Sequence, residues 1–357
     1  CHILGPTRLY SVTRAGGRQH MSTPLQQQPN ARIALIEAVK GLGIILVVAA
    51  HLVKFGTPGV PDWYTIFKFK VYLFHMPLLM FMSGYVFRYA NHHLRGLSDF
   101  SGFAGRRANR LLVPFLFVGV ITIIGKWFSA MWFAIDEAPL SLVSGLTSIF
   151  IDTESSPVLT IWYLFVLFVY CIVTPALFVL FRRRWTWLGL FALAIYFLRL
   201  DDIFYANRVA QYYVFFVVGC IAADREFLQR FSGSRLRIAA IAGLLLVLMA
   251  PWNRDYGLLV CGLISCLAVP ALVDVLPERL RSMLGYFGRL SMTIYLLNVI
   301  FIGVAKVAYE RIIPLPQQYF GLLLLVTFVT GLLAPILLKR TVDAAPALSK
   351  TLGKYLS

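Results

Sequence analysis

Three ionisable side chains lie on one apolar segment, RIALIEAVKGLGIILVVAAH, which runs from Arg32 to His51. An ionisable side chain inside a membrane span is energetically costly, and it therefore marks a functional site by default. Lys40 and His51 are eleven residues apart, which is about three helical turns, or roughly 16 Å, along a helix axis. Glu37 precedes Lys40 by one turn, so the segment is predicted to present a carboxylate, a cation and an imidazole on one face.

Two histidines are predicted to be catalytic because they fall inside apolar segments. His51 ends the first such segment, and His75 lies in the second, in FHMPLLMFMSGY, just before Pro77. Imidazole takes and returns a proton near neutral pH, as acid–base catalysis requires. The structural alternative for each is a buried ring that is hydrogen-bonded to a neighbouring carbonyl. His92 and His93 fall in a basic loop, where solvated side chains are expected.

An arginine pair marks the start of the third apolar segment, in GRRANRLLVP. Arg107 and Arg110 are three residues apart, so on a helix they lie on adjacent turns of one face. Two guanidinium groups near a helix amino terminus favour binding of phosphate groups, and Arg106 is placed to assist. The alternative is that these arginines only anchor the span to anionic lipid headgroups.

Composition and hydropathy place these residues in a membrane protein. Hydrophobic residues make up 59% of the chain and charged residues only 14%, whereas soluble domains carry about 25% charged residues. Apolar segments of the length that crosses a hydrocarbon core of about 30 Å recur throughout. The five cysteines show neither disulfide nor zinc spacing, and no metal site is predicted. We predict an all-α, polytopic transmembrane helix bundle with about ten spans, near 35–55, 66–87, 111–132, 158–181, 185–200, 204–223, 236–253, 256–276, 290–311 and 319–338.

The net charge of +17 is interpreted as a signal of topology and not of nucleic-acid binding. Lysine and arginine collect in the loops that follow every even-numbered span, whereas loop 133–157 contains neither. Because basic loops stay in the cytoplasm, both termini are predicted to be cytoplasmic. Membrane lipids are therefore expected partners, and no nucleic-acid partner is expected.

The chain is divided into one membrane domain and two short flanking segments. Residues 1–30 are polar and basic and have no apolar signal-peptide core. They are expected to be a disordered prefix, either upstream sequence or a tag remnant, with Met21 as the natural start. The membrane domain is predicted to span 31–341, and 342–357 form a short cytoplasmic tail.

Taken together, these segments resemble the acyltransferase-3 family of integral membrane O-acyltransferases, which modify bacterial surface polysaccharides and related glycans. The resemblance covers nearly the whole chain after residue 31. Glu37 and Lys40 replace the aspartate and arginine common in the family, and Asn298 replaces a frequent histidine and cannot act as a base. The stretches that carry the resemblance are Arg32–His51, with a basic residue, ten residues and then histidine, FHMPLLMFMSGYVF (74–87), RRANRLLVP (106–114), TIWYLFVLFVY (160–170), YYVFFVVGC (212–220) and YFGRLSMTIYLLN (286–298).

The resemblance implies a multi-pass enzyme of the bacterial inner membrane. It would move an acyl group, most commonly acetyl, from cytoplasmic acyl-CoA as a co-substrate to a sugar hydroxyl of a cell-surface or lipid-linked glycan, without a bound cofactor. His51 would act as the base or as a transient acyl carrier. The implied residues are His51, Glu37, Lys40 and His75 for catalysis, Arg107, Arg110, Arg106 and Arg32 for donor binding, and Ser83, Tyr85, Trp162 and Asn298 for acceptor binding or structure.

Alternatives remain open at this point. Nothing in the sequence distinguishes an acetyl donor from a succinyl donor, a direct transfer from an acyl-enzyme route, or one acceptor glycan from another. A membrane transporter with an intramembrane charged path is the alternative outside the enzyme class. Against it, the spans show no inverted halves and no matching glycine- or proline-broken segments.

Overall fold

The structure, a computed structural model, describes residues 24–90, 100–133, 135, 137–225, 234–313 and 318–345. All regular secondary structure in these residues is helical, which confirms the predicted all-α bundle. Two short 3₁₀ helices, at 159–161 and 203–205, precede α6 and α8. The α-helices are α1 (Pro24–His51), α2 (Asp62–Tyr72), α3 (His75–Ala90), α4 (Phe100–Ser129), α5 (Leu142–Ser148), α6 (Trp162–Leu180), α7 (Trp185–Tyr196), α8 (Ala206–Asp224), α9 (Ser234–Met249), α10 (Arg254–Asp274), α11 (Glu278–Arg289), α12 (Ser291–Ile312) and α13 (Phe320–Ala344).

Eight helical segments of the described chain are long and apolar enough to cross a membrane. They correspond to eight of the ten predicted spans. The other two, predicted at 185–200 and 236–253, match α7 and α9, which have 12 and 16 residues. At the rise of an α-helix these measure about 18 and 24 Å, less than a hydrocarbon core of about 30 Å. The prediction of about ten spans therefore exceeds what helix length supports in the described residues.

The flanking segments lie largely outside the described residues. The first helix begins at Pro24, earlier than the predicted domain boundary at residue 31, and the last runs to Ala344. Residues 1–23 and 346–357, which hold most of the predicted prefix and tail, are not described. Residues 91–99 include His92 and His93, so the predicted solvation of these two side chains also falls outside the described residues.

Helix α1 lies at the centre of the bundle. It contacts α2, α3, α10, α11, α12 and α13, and Ala38, Val39, Val48 and Ala50 on it are fully buried. Large apolar side chains of the outer helices, by contrast, are exposed, as expected for a surface that faces lipid. The segment that carries Glu37, Lys40 and His51 is therefore surrounded by protein.

Helices α3 and α8 approach each other so closely at two glycine residues that their backbones are in contact. A Cβ atom on Gly84 of α3 would lie 1.9 Å from the Phe216 carbonyl oxygen of α8, and one on Gly219 would lie 2.0 Å from the Phe81 carbonyl oxygen. Small residues at helix interfaces allow such close approach in membranes. The α3–α8 contact is thus reciprocal, and it fixes the helix that carries His75.

The helix ends define two faces of the bundle. We call the face where α1, α4 and α12 begin the arginine face, and the face where they end the loop face. Ion pairs join helix ends at the arginine face: Arg88–Asp224 at 2.6 Å, Arg237–Asp274 at 2.7 Å and Arg289–Glu37 at 3.0 Å. Two of these pairs join elements that are distant in sequence, and the Arg237–Asp274 pair joins the consecutive helices α9 and α10.

The second span is broken in its middle. Helix α2 ends at Tyr72 and α3 begins at His75, and the Leu73 and Phe74 amides donate to carbonyl oxygens only three residues back. Pro77 has no N–H group, so it cannot continue the α-helical hydrogen bonds to the Leu73 carbonyl. The break places His75 at the first position of α3, inside the bundle.

Candidate active site

A cavity of about 440 Å³ opens among the helices of the arginine face. Its volume falls within the range of small-molecule sites, about 300–1,000 Å³. Five cationic side chains line it, and none of its lining residues is Asp or Glu. Such a cavity suits an anionic ligand. The lining residues are Lys40, Ile44, Leu79, Met82, Ser83, Val86, Phe87, Ala90, Phe103, Arg106, Arg107, Arg110, Leu111, Tyr163, Leu164, Leu167, Cys171, Arg289, Ser291, Met292 and Tyr295.

The first turns of α4 carry three of the cations. Arg106, Arg107 and Arg110 all line the cavity, and the Arg107 guanidinium lies 5.3 Å from the centroid of the Phe103 ring. Because α4 begins at Phe100, the three arginines lie in its second and third turns and not at its amino terminus as the sequence predicts, so the helix dipole adds little to their own charge. Arg32, by contrast, does not line the cavity. Its guanidinium lies 5.3 Å from the centroid of the Tyr89 ring.

Lys40 and Glu37 lie at this same end of α1. Lys40 is half-buried and lines the cavity. Glu37 Oε2 accepts a hydrogen bond of 3.0 Å from Arg289 Nη1. Helical rise puts Glu37 about 21 Å and Lys40 about 16 Å from His51 along the axis. The three predicted catalytic residues of α1 therefore separate into a cationic end and an imidazole end.

A hydrogen-bonded tyrosine pair forms the deep wall of the cavity. Ser83 Oγ and Tyr163 Oη are 2.5 Å apart, and Tyr295 Oη donates to the Thr160 carbonyl oxygen at 2.6 Å. The Tyr163 amide in turn donates to Tyr295 Oη at 3.2 Å. These bonds join α3, α6 and α12. Tyr85, two residues past Ser83, is buried and stacks on Tyr89 instead.

His51 and His75 meet on either side of one tyrosine. His51 Nε2 lies 3.5 Å from Tyr72 Oη, and the Tyr72 and His75 ring centroids are 5.0 Å apart. His51 Nδ1 lies 2.7 Å from the Val47 carbonyl oxygen, and His75 Nδ1 lies 2.7 Å from that of Val71. A carbonyl only accepts, so both Nδ1 atoms carry the proton. Each Nε2 is then left with a lone pair that can accept one.

The cavity approaches this imidazole cluster from the arginine face. Leu79 lines the cavity and lies one turn of α3 from His75, about 6 Å along the axis. Ile44 also lines it and lies two turns of α1 from His51, about 10 Å. The cavity lining therefore ends about 6 Å from His75 and about 10 Å from His51 along the helix axes.

The two remaining predicted residues lie outside the cavity lining. Trp162 is buried with its ring centroid 4.8 Å from that of Tyr212, and the Arg208 guanidinium lies 5.3 Å from the Trp162 ring centroid. Asn298 Nδ2 donates to the carbonyl oxygens of Ile294 and Tyr295, both at 2.8 Å. Its buried Oδ1 has no hydrogen-bond partner among the described residues.

Sequence reasoning missed two residues of this site. Arg289 was interpreted only as one of the basic residues that set topology, and Tyr72 was not singled out. The sequence holds a signal for the first, because Arg289 ends the amphipathic segment ERLRSMLGYFGR, directly before an apolar span. No signal in the sequence identifies Tyr72, because its contacts depend on the break between α2 and α3.

Comparison with known proteins agrees with this geometry. The family model described as an acyltransferase domain, of the acyltransferase-3 family, matches residues 33–338. Nodulation protein NolL of Mesorhizobium japonicum is 30% identical over 179 residues, which are 49% of this chain and 43% of the relative. Nodulation protein NolL of Sinorhizobium fredii is 33% identical over 137 residues, 38% of this chain and 34% of the relative. The matches thus span less than half the length of these relatives.

No solved structure matches the chain significantly. The family match, however, contains all the described residues of the cavity and of the imidazole cluster. It also contains Glu37 and Arg289, the ion pair beside the cavity. The chain belongs to the acyltransferase-3 family and is a multi-pass membrane protein.

Proposed function

We propose that this protein transfers an acetyl group from cytoplasmic acetyl-CoA to a hydroxyl group of a cell-surface or lipid-linked glycan. The observation that supports this best is the cavity of the arginine face, whose lining includes five cationic side chains and no carboxylate. Coenzyme A carries a diphosphate and a separate ribose phosphate, and guanidinium groups bind phosphate oxygens in pairs.

The donor enters from the cytoplasm in this proposal. Basic residues follow the spans that end at the arginine face, whereas the residues of loop 133–157 include no lysine or arginine. Basic loops remain on the cytoplasmic side of a bacterial inner membrane. The arginine face, with both termini of the described bundle, is then cytoplasmic. The phosphates bind to Arg106, Arg107 and Arg110, and the pantetheine arm extends between α1 and α3.

His51 performs the proton transfer. Its Nε2 takes the proton of the acceptor hydroxyl while the hydroxyl oxygen forms a bond to the thioester carbonyl carbon. The tetrahedral intermediate then collapses, the carbon–sulfur bond breaks, and the thiolate of coenzyme A takes the proton from Nε2. The products are the O-acyl glycan and free coenzyme A. An acyl-imidazole route would use the same nitrogen as the nucleophile.

The acceptor reaches His51 from the loop face, because α1 ends there at His51. Trp162, Tyr212 and Arg208 form an aromatic and cationic group among the helices that begin at this face. Aromatic faces suit sugar rings, so this group is the proposed acceptor contact. The experiment below identifies the acceptor itself.

The decisive experiment compares surface glycans by mass spectrometry in three strains: the parent, a strain without the gene, and a strain with His51→Ala at the native locus. Loss of an acetyl group from one glycan in both altered strains is the expected result. Loss of a succinyl group instead would assign a different donor. Identical glycans in all three strains would contradict glycan acylation and favour transport of a solute through the bundle.

A further inference from the structure

The cationic cavity has a contributor that comes from outside the α4 cluster. Arg289 is the last residue of α11, and it lines the cavity together with Ser291 and Met292 at the start of α12. Its side chain is about half exposed, with 52% relative accessibility. It therefore adds charge to the cavity from a second helix.

One carboxylate holds Arg289 in place. Nη1 donates to Glu37 Oε2 at 3.0 Å. A guanidinium group has five N–H donors in a planar fork, and Glu37 accepts from only one of its nitrogen atoms. No acceptor for Nε or Nη2 is found among the described residues. Glu37 does not line the cavity itself, so it orients the guanidinium without occupying the ligand space.

Backbone contact between α1 and α11 makes this arrangement rigid. A Cβ atom on Gly288 would lie 1.8 Å from the Glu37 carbonyl oxygen, and one on Gly41 would lie 1.8 Å from the Leu284 carbonyl oxygen. The helices therefore touch directly beside the Glu37–Arg289 pair and again one turn further along each helix. Side-chain positions on helices packed this closely are preorganised, which lowers the entropic cost of binding a ligand.

The start of α12 adds a second feature that favours an anion. Its first residues, Ser291 and Met292, line the cavity, and its N-cap residue, Leu290, supplies no side-chain acceptor. The first N–H groups of an α-helix have no acceptor within the helix. Together with the positive end of the helix dipole, they favour a bound phosphate. The uncapped amino terminus and the Arg289 side chain face the same cavity.

We propose that Arg289 and the amino terminus of α12 bind a phosphate group of the acyl-CoA donor, separately from Arg107 and Arg110, and that Glu37 is the positioning residue for Arg289. This inference rests on the proposed function. It assigns the two phosphate groups of coenzyme A, the diphosphate and the ribose phosphate, to two sources of positive charge. It also gives Glu37 a role in donor binding and not in proton transfer.

The test measures donor binding to purified protein in lipid nanodiscs with acetyl-CoA and with S-acetylpantetheine, which has no phosphate. Arg289→Ala should weaken acetyl-CoA binding about ten- to hundredfold, the range of one charge-assisted hydrogen bond. It should not change binding of S-acetylpantetheine. Arg289→Lys should recover part of the loss, because the charge remains but the fork is absent. Arg281→Ala is the matched control: this residue also lies on α11, but it pairs with Glu278 and does not line the cavity.

Glu37→Gln separates a positioning role from a structural one. It should raise KM for acetyl-CoA and leave kcat unchanged. The double variant, with both Glu37→Gln and Arg289→Ala, should bind acetyl-CoA no more weakly than Arg289→Ala alone, because Glu37 acts through Arg289. Unchanged acetyl-CoA affinity in Arg289→Ala, with the parent binding normally, would overturn the inference. Additive losses in the double variant would overturn the role of Glu37. Failure of the parent itself to bind acetyl-CoA would instead overturn the proposed function.

Discussion

Hydrogen bonding to the Val47 carbonyl determines what the His51 side chain can do. With Nδ1 donating to that carbonyl at 2.7 Å, the neutral ring presents an unprotonated Nε2. The same bond limits rotation of the ring, so the lone pair of Nε2 stays directed towards Tyr72. A general base needs both a free lone pair and a fixed direction. His75 has the same arrangement but is fully buried, so in the proposed reaction an acceptor hydroxyl reaches His51 more readily.

Replacement of His51 therefore tests the chemistry directly. His51→Ala is expected to lower the rate of acyl transfer at least about a hundredfold, the usual contribution of a positioned acid–base group. Donor affinity should not change, because His51 does not line the cationic cavity. Transfer rates and binding of acetyl-CoA are measured on the same purified protein. A nearly normal rate would remove His51 from the mechanism and leave His75 as the base.

The Tyr72 hydroxyl is expected to have a smaller effect. Tyr72→Phe keeps the ring between the two imidazoles but removes the hydroxyl 3.5 Å from His51 Nε2. A hydrogen bond contributes a net free energy of about 0.5–1.5 kcal/mol, so its loss should lower kcat at most about tenfold. The control is Tyr64→Phe on the same helix, which loses a hydrogen bond to the Ala49 carbonyl oxygen and should affect stability more than turnover. Equal losses of kcat in both variants would show that Tyr72 is only structural.

The arginine pair distinguishes donor binding from membrane anchoring. Arg110→Ala is expected to weaken acetyl-CoA binding about ten- to hundredfold, because each charge-assisted hydrogen bond contributes about 1.5–3 kcal/mol. Arg110→Lys should recover only part of this affinity. Arg32→Ala removes a cation whose side chain lies outside the cavity, against Tyr89. The affinity of this variant for acetyl-CoA should therefore match that of the parent. Full rescue by lysine, with lower expression of Arg110→Ala, would instead support an anchoring role.

At the scale of the elements, the position of His75 depends on how closely α3 packs against α8. Gly84 and Gly219 lie at a contact where backbone meets backbone, and a side chain there has no flexible neighbour to displace. The break before α3 adds a second constraint, because α2 must leave the bundle axis where Pro77 removes a donor. Packing and the break thus orient the histidine together.

A single methyl group at this contact should therefore be destabilising. Gly84→Ala is expected to lower the unfolding free energy by about 1–3 kcal/mol or more, the usual cost of overpacking. Thermal unfolding in detergent, followed by loss of the monodisperse peak, measures the change. Gly125→Ala is the matched control, because a Cβ atom at this helical glycine would meet nothing within 4 Å. Equal stability of the two variants would contradict the backbone contact.

At the scale of the whole molecule, the charge pattern predicts which face of the bundle is cytoplasmic. Glu154 lies exposed in the loop before α6, and Ser101 lies exposed at the start of α4. In a parent with Cys1 replaced by serine, Glu154→Cys should react with an impermeant thiol reagent in intact cells and Ser101→Cys should not. The four other cysteines are buried and should stay silent. The reverse labelling pattern would place the donor cavity outside the cell and contradict the proposed donor.

The sequence by itself determined the class of the protein and the residues that carry its charge. Hydropathy over 20-residue windows is a local property, so the all-α membrane bundle and eight of its spans follow from the chain alone. The spacing of Arg107 and Arg110 is also local, because helix periodicity fixes which side chains share a face. Helices α7 and α9 are too short to match the spans predicted for them. Hydropathy identifies an apolar segment, but it does not locate the residue at which a helix ends.

Only the tertiary structure decided which of these residues meet. Glu37 and Arg289 are 252 positions apart in the chain, and their pairing depends on glycine contacts between α1 and α11 that no local pattern encodes. The meeting of His51, Tyr72 and His75 likewise requires the break in the second span. Lys40 and His51 lie on the same helix. The cavity that forms with α3, α4 and α12 is nevertheless lined by Lys40 and not by His51. Contacts between distant segments depend on three-dimensional packing, so the division of α1 into a donor end and an imidazole end had to come from the fold.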